Sequence, residues 1–87
     1  MVTLDTLKAG QRAVVVKIEN KNKALKRRML DMGITKGVVL QIVKFAPLGD
    51  PVEVLIRGYM LSIRKEDLGA IYGEIIKGKE KQEEVVR

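Results

Sequence analysis

Residues 38–64 read VVLQIVKFAPLGDPVEVLIRGYMLSIR, and the spacing of their apolar side chains sets the fold class. Apolar residues recur at every second position in three runs: Val38, Leu40 and Ile42 within Val38–Phe45, Val52, Val54 and Ile56 within Val52–Arg57, and Leu61 and Ile63 within Met60–Arg64. A repeat of two is the signature of a β-strand that buries one face. The breaks between the runs differ in kind. Gly58-Tyr59 is a two-residue hairpin signal, whereas Ala46-Pro47-Leu48-Gly49-Asp50-Pro51 places two prolines and a glycine where no central strand tolerates them.

Upstream, the period changes. Arg12–Ile18 reads as another strand, with Val14, Val16 and Ile18 sharing a face. Asn20-Lys21-Asn22 then supplies amides able to cap a helix, and Ala24, Leu25, Met29 and Met32 recur at amphipathic helical spacing, with Leu30 widening the apolar stripe. This predicts a helix over Lys23–Met32 that Gly33 stops in the left-handed conformation. At ten residues the helix is too short to stand alone, so Met29 and Met32 are expected in the core. Thr35-Lys36-Gly37 forms the turn into Val38. Leu4 and Leu7 read as an apolar anchor at the start of the chain. Downstream, Lys65–Leu68 reads as one helical turn, and Ala70–Ile76 as a last strand with Ile71 and Ile75 inward. Gly33, Gly37 and Gly58 are therefore structural residues, a helix stop and two turns. Five short strands and one helix exclude a parallel doubly wound sheet, whose crossovers need several helices. The expected class is mostly β with one short α-helix, a small five-stranded antiparallel barrel whose closure removes exposed edges.

The 87 residues suffice for one domain, placed at 1–76, followed by a charged and flexible tail at 77–87. Neither cysteine nor histidine is present. Disulfide and thiolate-metal staples are excluded, as are serine-histidine and cysteine-histidine catalysis and the usual ligand sets for zinc, haem and iron–sulfur clusters. No metal site or cofactor is assigned. No apolar run approaches a bilayer-spanning length and no leader opens the chain, so a cytoplasmic location is expected.

The net charge of +6 is concentrated rather than spread. Between Lys17 and Arg28, six basic residues face Glu19 alone. Such a patch marks where an anionic partner docks. The carboxylates Asp5, Asp31, Asp50, Glu66 and Asp67 are scattered, and the neighbouring pair Glu66-Asp67 suits the start of a short helix better than acid–base chemistry. The glycines form no phosphate-binding fingerprint, and no small-molecule substrate is expected. Nucleic-acid binding by a small basic barrel is the competing reading, but Phe45, Tyr59 and Tyr72 are dispersed and give the patch no stacking platform. Ala46–Pro51 is longer than a hairpin needs and holds Leu48 at its tip, braced by prolines. Rigid exposed loops of this kind carry recognition.

The run Arg27-Arg28-Met29-Leu30-Asp31-Met32-Gly33-Ile34-Thr35-Lys36-Gly37, then Ala46–Val52, then Leu61-Ser62-Ile63-Arg64-Lys65, resembles the FeoA family of ferrous-iron transport accessory proteins. The leader Leu4-Asp5-Thr6-Leu7-Lys8-Ala9-Gly10 matches its opening, and the resemblance covers residues 3–76. It implies an SH3-like barrel, similar to the C-terminal module of iron-dependent repressors. It further implies a non-enzymatic protein of bacterial ferrous iron uptake, working on the cytoplasmic side of FeoB, the membrane iron permease with an N-terminal GTP-binding domain. The family is also associated with transition-metal binding. Lys26, Arg27 and Arg28 on the helix, with Pro47, Leu48, Gly49, Asp50 and Pro51 on the loop, are the expected partner-binding residues, the arginines meeting acidic protein groups or anionic lipid head groups.

Overall fold

The alternation in residues 38–64 becomes three consecutive antiparallel strands in a computed structural model, which describes residues 1–77. These are β3 (Val39–Phe45), β4 (Val52–Ile56) and β5 (Tyr59–Ile63). Leu40, Ile42, Val52, Val54, Ile56 and Ile63 are all buried, the parity expected from the sequence. The β4–β5 turn falls one residue earlier than expected. Arg57 and Gly58 take φ of 51° and 84°, the doubly positive pair whose twist matches the flanking strands. Tyr59 is thereby released from the turn and pairs with Ile56 as the first residue of β5.

Three further strands bring the number to six: β1 (Val2–Thr3), β2 (Arg12–Ile18) and β6 (Ile71–Ile76), in the order β1-β6-β2-β3-β4-β5 with every pair antiparallel. β1 is the strand beyond the expected five, and two residues are too few to show a period. The hydrogen-bonded ladder does not join its ends, so β1 and β5 remain edges where closure was expected. β2 also departs from the simple alternation. Ala13 and Val15 are buried while Val14 and Val16 are half-buried, and Ile18 is buried again. The pairing with β6 steps from Val15↔Gly73 to Lys17↔Tyr72. Val16 is thus an extra residue, and a bulge of one residue exchanges the two faces of a strand. Gly73 allows the close approach there: a Cβ on it would stand 2.6 Å from the Val14 carbonyl oxygen.

Between β2 and β3 lies α1 (Lys23–Asp31). Asn22 is its N-cap, the side-chain oxygen accepting from the N–H groups of Ala24 and Leu25 at 3.0 and 3.1 Å. Met29 is buried, and Leu25 and Met32 pack partly against the core. Leu30 does not widen this stripe. It is 46% exposed, because a rotation of about 100° per residue carries it away from Met29 to the side of Lys23 and Arg27. At the base of the sheet, a 3-10 turn (Leu4–Thr6) meets α2 (Lys65–Leu68), burying Leu4 and Leu68 completely. Each such side chain contributes about 1.5–3 kcal/mol by leaving water. Among the described residues, no helix is long and apolar enough to cross a membrane. The tail expected at 77–87 lies outside the described residues except for Lys77.

Candidate interaction surface

The basic triplet on α1 is divided by the helix itself. Lys26 and Arg27 line a shallow depression on the solvent side with Lys23, Ala24, Leu30 and Asp31. Arg28, rotated about 100° further, turns to the opposite flank. There it lines a groove of about 170 Å³ with Leu25, Met29 and Met32, whose far wall is Ser62, Ile63, Arg64 and Asp67. Adjacent cations in the sequence thus serve two different surfaces.

The loop Ala46–Pro51 is held by its own backbone. Gly49 donates to the Ala46 carbonyl at 2.7 Å, Ala46 donates to the Pro51 carbonyl at 3.0 Å, and Gly49 takes φ of +91° to close the turn. The Asp50–Pro51 peptide is cis. Leu48 stands at the tip, 97% exposed, a large apolar side chain that folding leaves in water. Pro47 and Pro51 line a hollow with Lys44, Phe45, Ala46 and Glu53. Asp50 is already engaged: its carboxylate accepts from the Lys65 N–H at 2.9 Å, where the unpaired N–H groups of α2 favour a negative charge. Lys65 Nζ lies 5.9 Å from the centre of the Phe45 ring, a second tie between α2 and the strand that leads into the loop.

Arg64 joins the helix to the loop. It lines the groove that holds Arg28 and also a hollow shared with Asp50, Pro51 and Glu66. Arg64 lies outside the expected partner-binding residues, although a cation where β5 gives way to α2 is a signal present in the sequence. Arg64 is thus common to the groove of Arg28 and to the hollow bordered by Asp50 and Pro51 of the loop, whereas Lys26 and Arg27 line a separate depression.

The end of α1 is clamped by the β4–β5 hairpin. Tyr59 donates its hydroxyl to the Met32 carbonyl, Arg57 Nε donates to the Gly33 carbonyl at 3.4 Å, and Arg57 Nη2 donates to Thr35 Oγ1 at 3.1 Å. The first two supply partners to carbonyls at the helix end, and the third ties the hairpin to the turn that follows. Gly33 and Gly37 both take φ of +92°, and Gly37 donates to the Val15 carbonyl at 2.8 Å. The three glycines expected at the helix stop and the turns all occupy the left-handed region. Ion pairs among the described residues are confined to the Met1 amine with Glu74 at 3.5 Å and Lys17 with Glu19 at 3.4 Å. Lys23, Lys26, Arg27, Arg28 and Arg64 thus carry no acidic partner among the described residues. Unpaired cations held on a rigid frame are equipped to receive an anionic partner.

A six-stranded, mostly β frame with two short helices is an SH3-like domain. It resembles FeoA of Stenotrophomonas maltophilia complexed with zinc, a prokaryotic SH3 domain protein, with 25% identity and a TM-score of 0.74 over 85% of this chain and 91% of that one. The FeoA domain model matches residues 2–75, and the chain belongs to the FeoA family. The solution structure of FeoA from Chlorobium tepidum is 38% identical, with a TM-score of 0.81 over 93% of this chain and 76% of that one. The Fe(2+) transport protein A/Fe(2+) transporter FeoB fusion protein of Porphyromonas gingivalis W83 is 38% identical over 73 residues, 84% of this chain. The matched region spans 8% of that relative's length.

Proposed function

We propose that the protein is a non-enzymatic accessory of ferrous iron uptake that docks on the cytoplasmic side of a FeoB-type permease and modulates its transport or its GTPase cycle. The observation that carries this reading is the fusion protein, in which a region similar to this chain is joined covalently to FeoB. A covalent link supplies effective concentration. A separate chain needs a docking surface instead, and the face bordered by Arg28, Arg64 and the Leu48 loop suits that role. Leu48, flanked by Pro47 and Pro51, provides an apolar contact whose ordering cost is low because the loop is held before binding. Arg28 and Arg64 provide donors for carboxylates. Gly49 and Asp50 act indirectly, the first by closing the turn and the second by fastening it to α2. The unit that docks is the domain at 1–76.

The test is a titration of the protein against the cytosolic domain and the full-length form of FeoB, with and without guanine nucleotide, following affinity and GTP hydrolysis. Saturable binding is expected, weakened about tenfold, or about 1.4 kcal/mol, by Leu48→Ala and again by Arg28→Ala. Absence of binding to either form up to about 1 mM, about −4.1 kcal/mol, overturns the proposal.

A further inference from the structure

The solvent face of α1 lies apart from the groove lined by Arg28 and Arg64. Lys23, Arg27 and Leu30 follow one another along this side, with Lys26 beside them and Asp31 at the end. Lys21 precedes the helix and is exposed. The face carries three cations, Lys23, Lys26 and Arg27, against one carboxylate, and none of the three has an ion-pair partner among the described residues. Leu30, 46% exposed, is the large apolar side chain that stands among them.

We infer that this face of α1 binds the surface of an anionic phospholipid bilayer. A helix lying in the plane of a membrane offers it a straight stripe of side chains, with long cationic chains reaching the phosphates and an aliphatic side chain directed toward the acyl boundary. Lys23, Arg27 and Leu30 form such a stripe, about 10 Å long at the rise of a helix. One leucine is too little apolar area for insertion, so attraction to the charged surface dominates and salt weakens it. Charge complementarity alone would also suit nucleic acid, but the aromatic residues a nucleic-acid surface uses for stacking are elsewhere. Tyr59 is bonded to Met32, Tyr72 lies under Lys17, and Phe45 lies under Lys65.

Co-sedimentation of the full chain with vesicles tests the inference. The vesicles are either phosphatidylcholine alone or a mixture of phosphatidylcholine and phosphatidylglycerol, and each is run at low and moderate salt. Binding is expected only to the mixed vesicles, with affinity falling about fivefold for each cation removed and about a hundredfold in the triple variant Lys23→Ala, Lys26→Ala, Arg27→Ala. Alanine keeps the helix, and circular dichroism of the variant verifies this. Asp31→Asn is expected to tighten binding about fivefold. Equal binding to neutral vesicles, an unchanged triple variant, or tighter binding to a duplex oligonucleotide than to the mixed vesicles at the same salt would each overturn the inference. The vesicles hold no permease, so failure here leaves the FeoB docking proposal standing, and failure of that titration leaves this one standing.

Discussion

Gly33 and Gly49 close two turns with nearly the same backbone, φ of +92° and +91°, yet they sit in different surroundings. A Cβ on Gly33 would come within 2.9 Å of the Tyr59 hydroxyl, whereas a Cβ on Gly49 would meet nothing within 4 Å. The first turn is wired into the molecule: Met29 and Ile34 beside it are buried, and Arg57 and Tyr59 reach across to its carbonyls. The second carries Leu48 into solvent and is fastened to the rest by the Asp50–Lys65 hydrogen bond. One local rule thus builds a structural joint in one place and a presented tip in the other. Long-range contacts make the difference.

Gly33→Ala is expected to have the largest effect in this comparison. Left-handed strain costs about 1 kcal/mol. Tyr59, an exposed ring, must also swing away and give up its bond to Met32, for about 1 kcal/mol more. The total of about 2 kcal/mol compares with about 1 for Gly49→Ala, which pays strain alone. Urea unfolding midpoints measure both, and in a Tyr59→Phe background the Gly33 penalty should fall to the Gly49 value. Equal penalties in the parent background would erase the distinction. Asp50→Ala comes next, at about 1 kcal/mol for the lost acceptor at the start of α2, read from the same unfolding curves. Loss of stability well below this would mean that the loop holds its shape without α2. The smallest effect is expected from Leu48→Ala, within about 0.5 kcal/mol of the parent because the side chain is already in water. A large loss there would show that the tip supports the fold and is not free to meet a partner.

Legibility in the sequence followed the range of the interactions. The parity of β3, β4 and β5 could be read because Leu40, Ile42, Val54, Ile56 and Ile63 follow the alternation, the register shift of β3 falling between Ile42 and Lys44, past its last buried residue. β2 misled because the bulge at Val16 exchanges its faces, and a bulge is set by the partner strand as much as by its own residues. The Asn22 cap acts two and three residues ahead and was visible. The clamp on α1 was not, since Arg57 and Tyr59 lie 22 to 27 residues from the groups they hold. Leu48 could be placed at a loop tip from the prolines around it. That Asp50 serves α2, that Arg64 lies between helix and loop, and that Lys26 and Arg27 part from Arg28 required the assembled molecule.

Local sequence was enough for the elements and their punctuation: the period-two runs, the capped helix, the glycine stops, the proline-braced loop and the basic run. Each rests on interactions within a few residues along the chain, where covalent geometry restricts the choices to a small set. The assembled fold was needed to see which glycine is crowded, which strand face is buried past a bulge, and which arginine lies beside the loop. Those outcomes depend on side chains brought together from distant positions, and packing can reverse a local preference because burying or stranding one group outweighs the differences between local conformers.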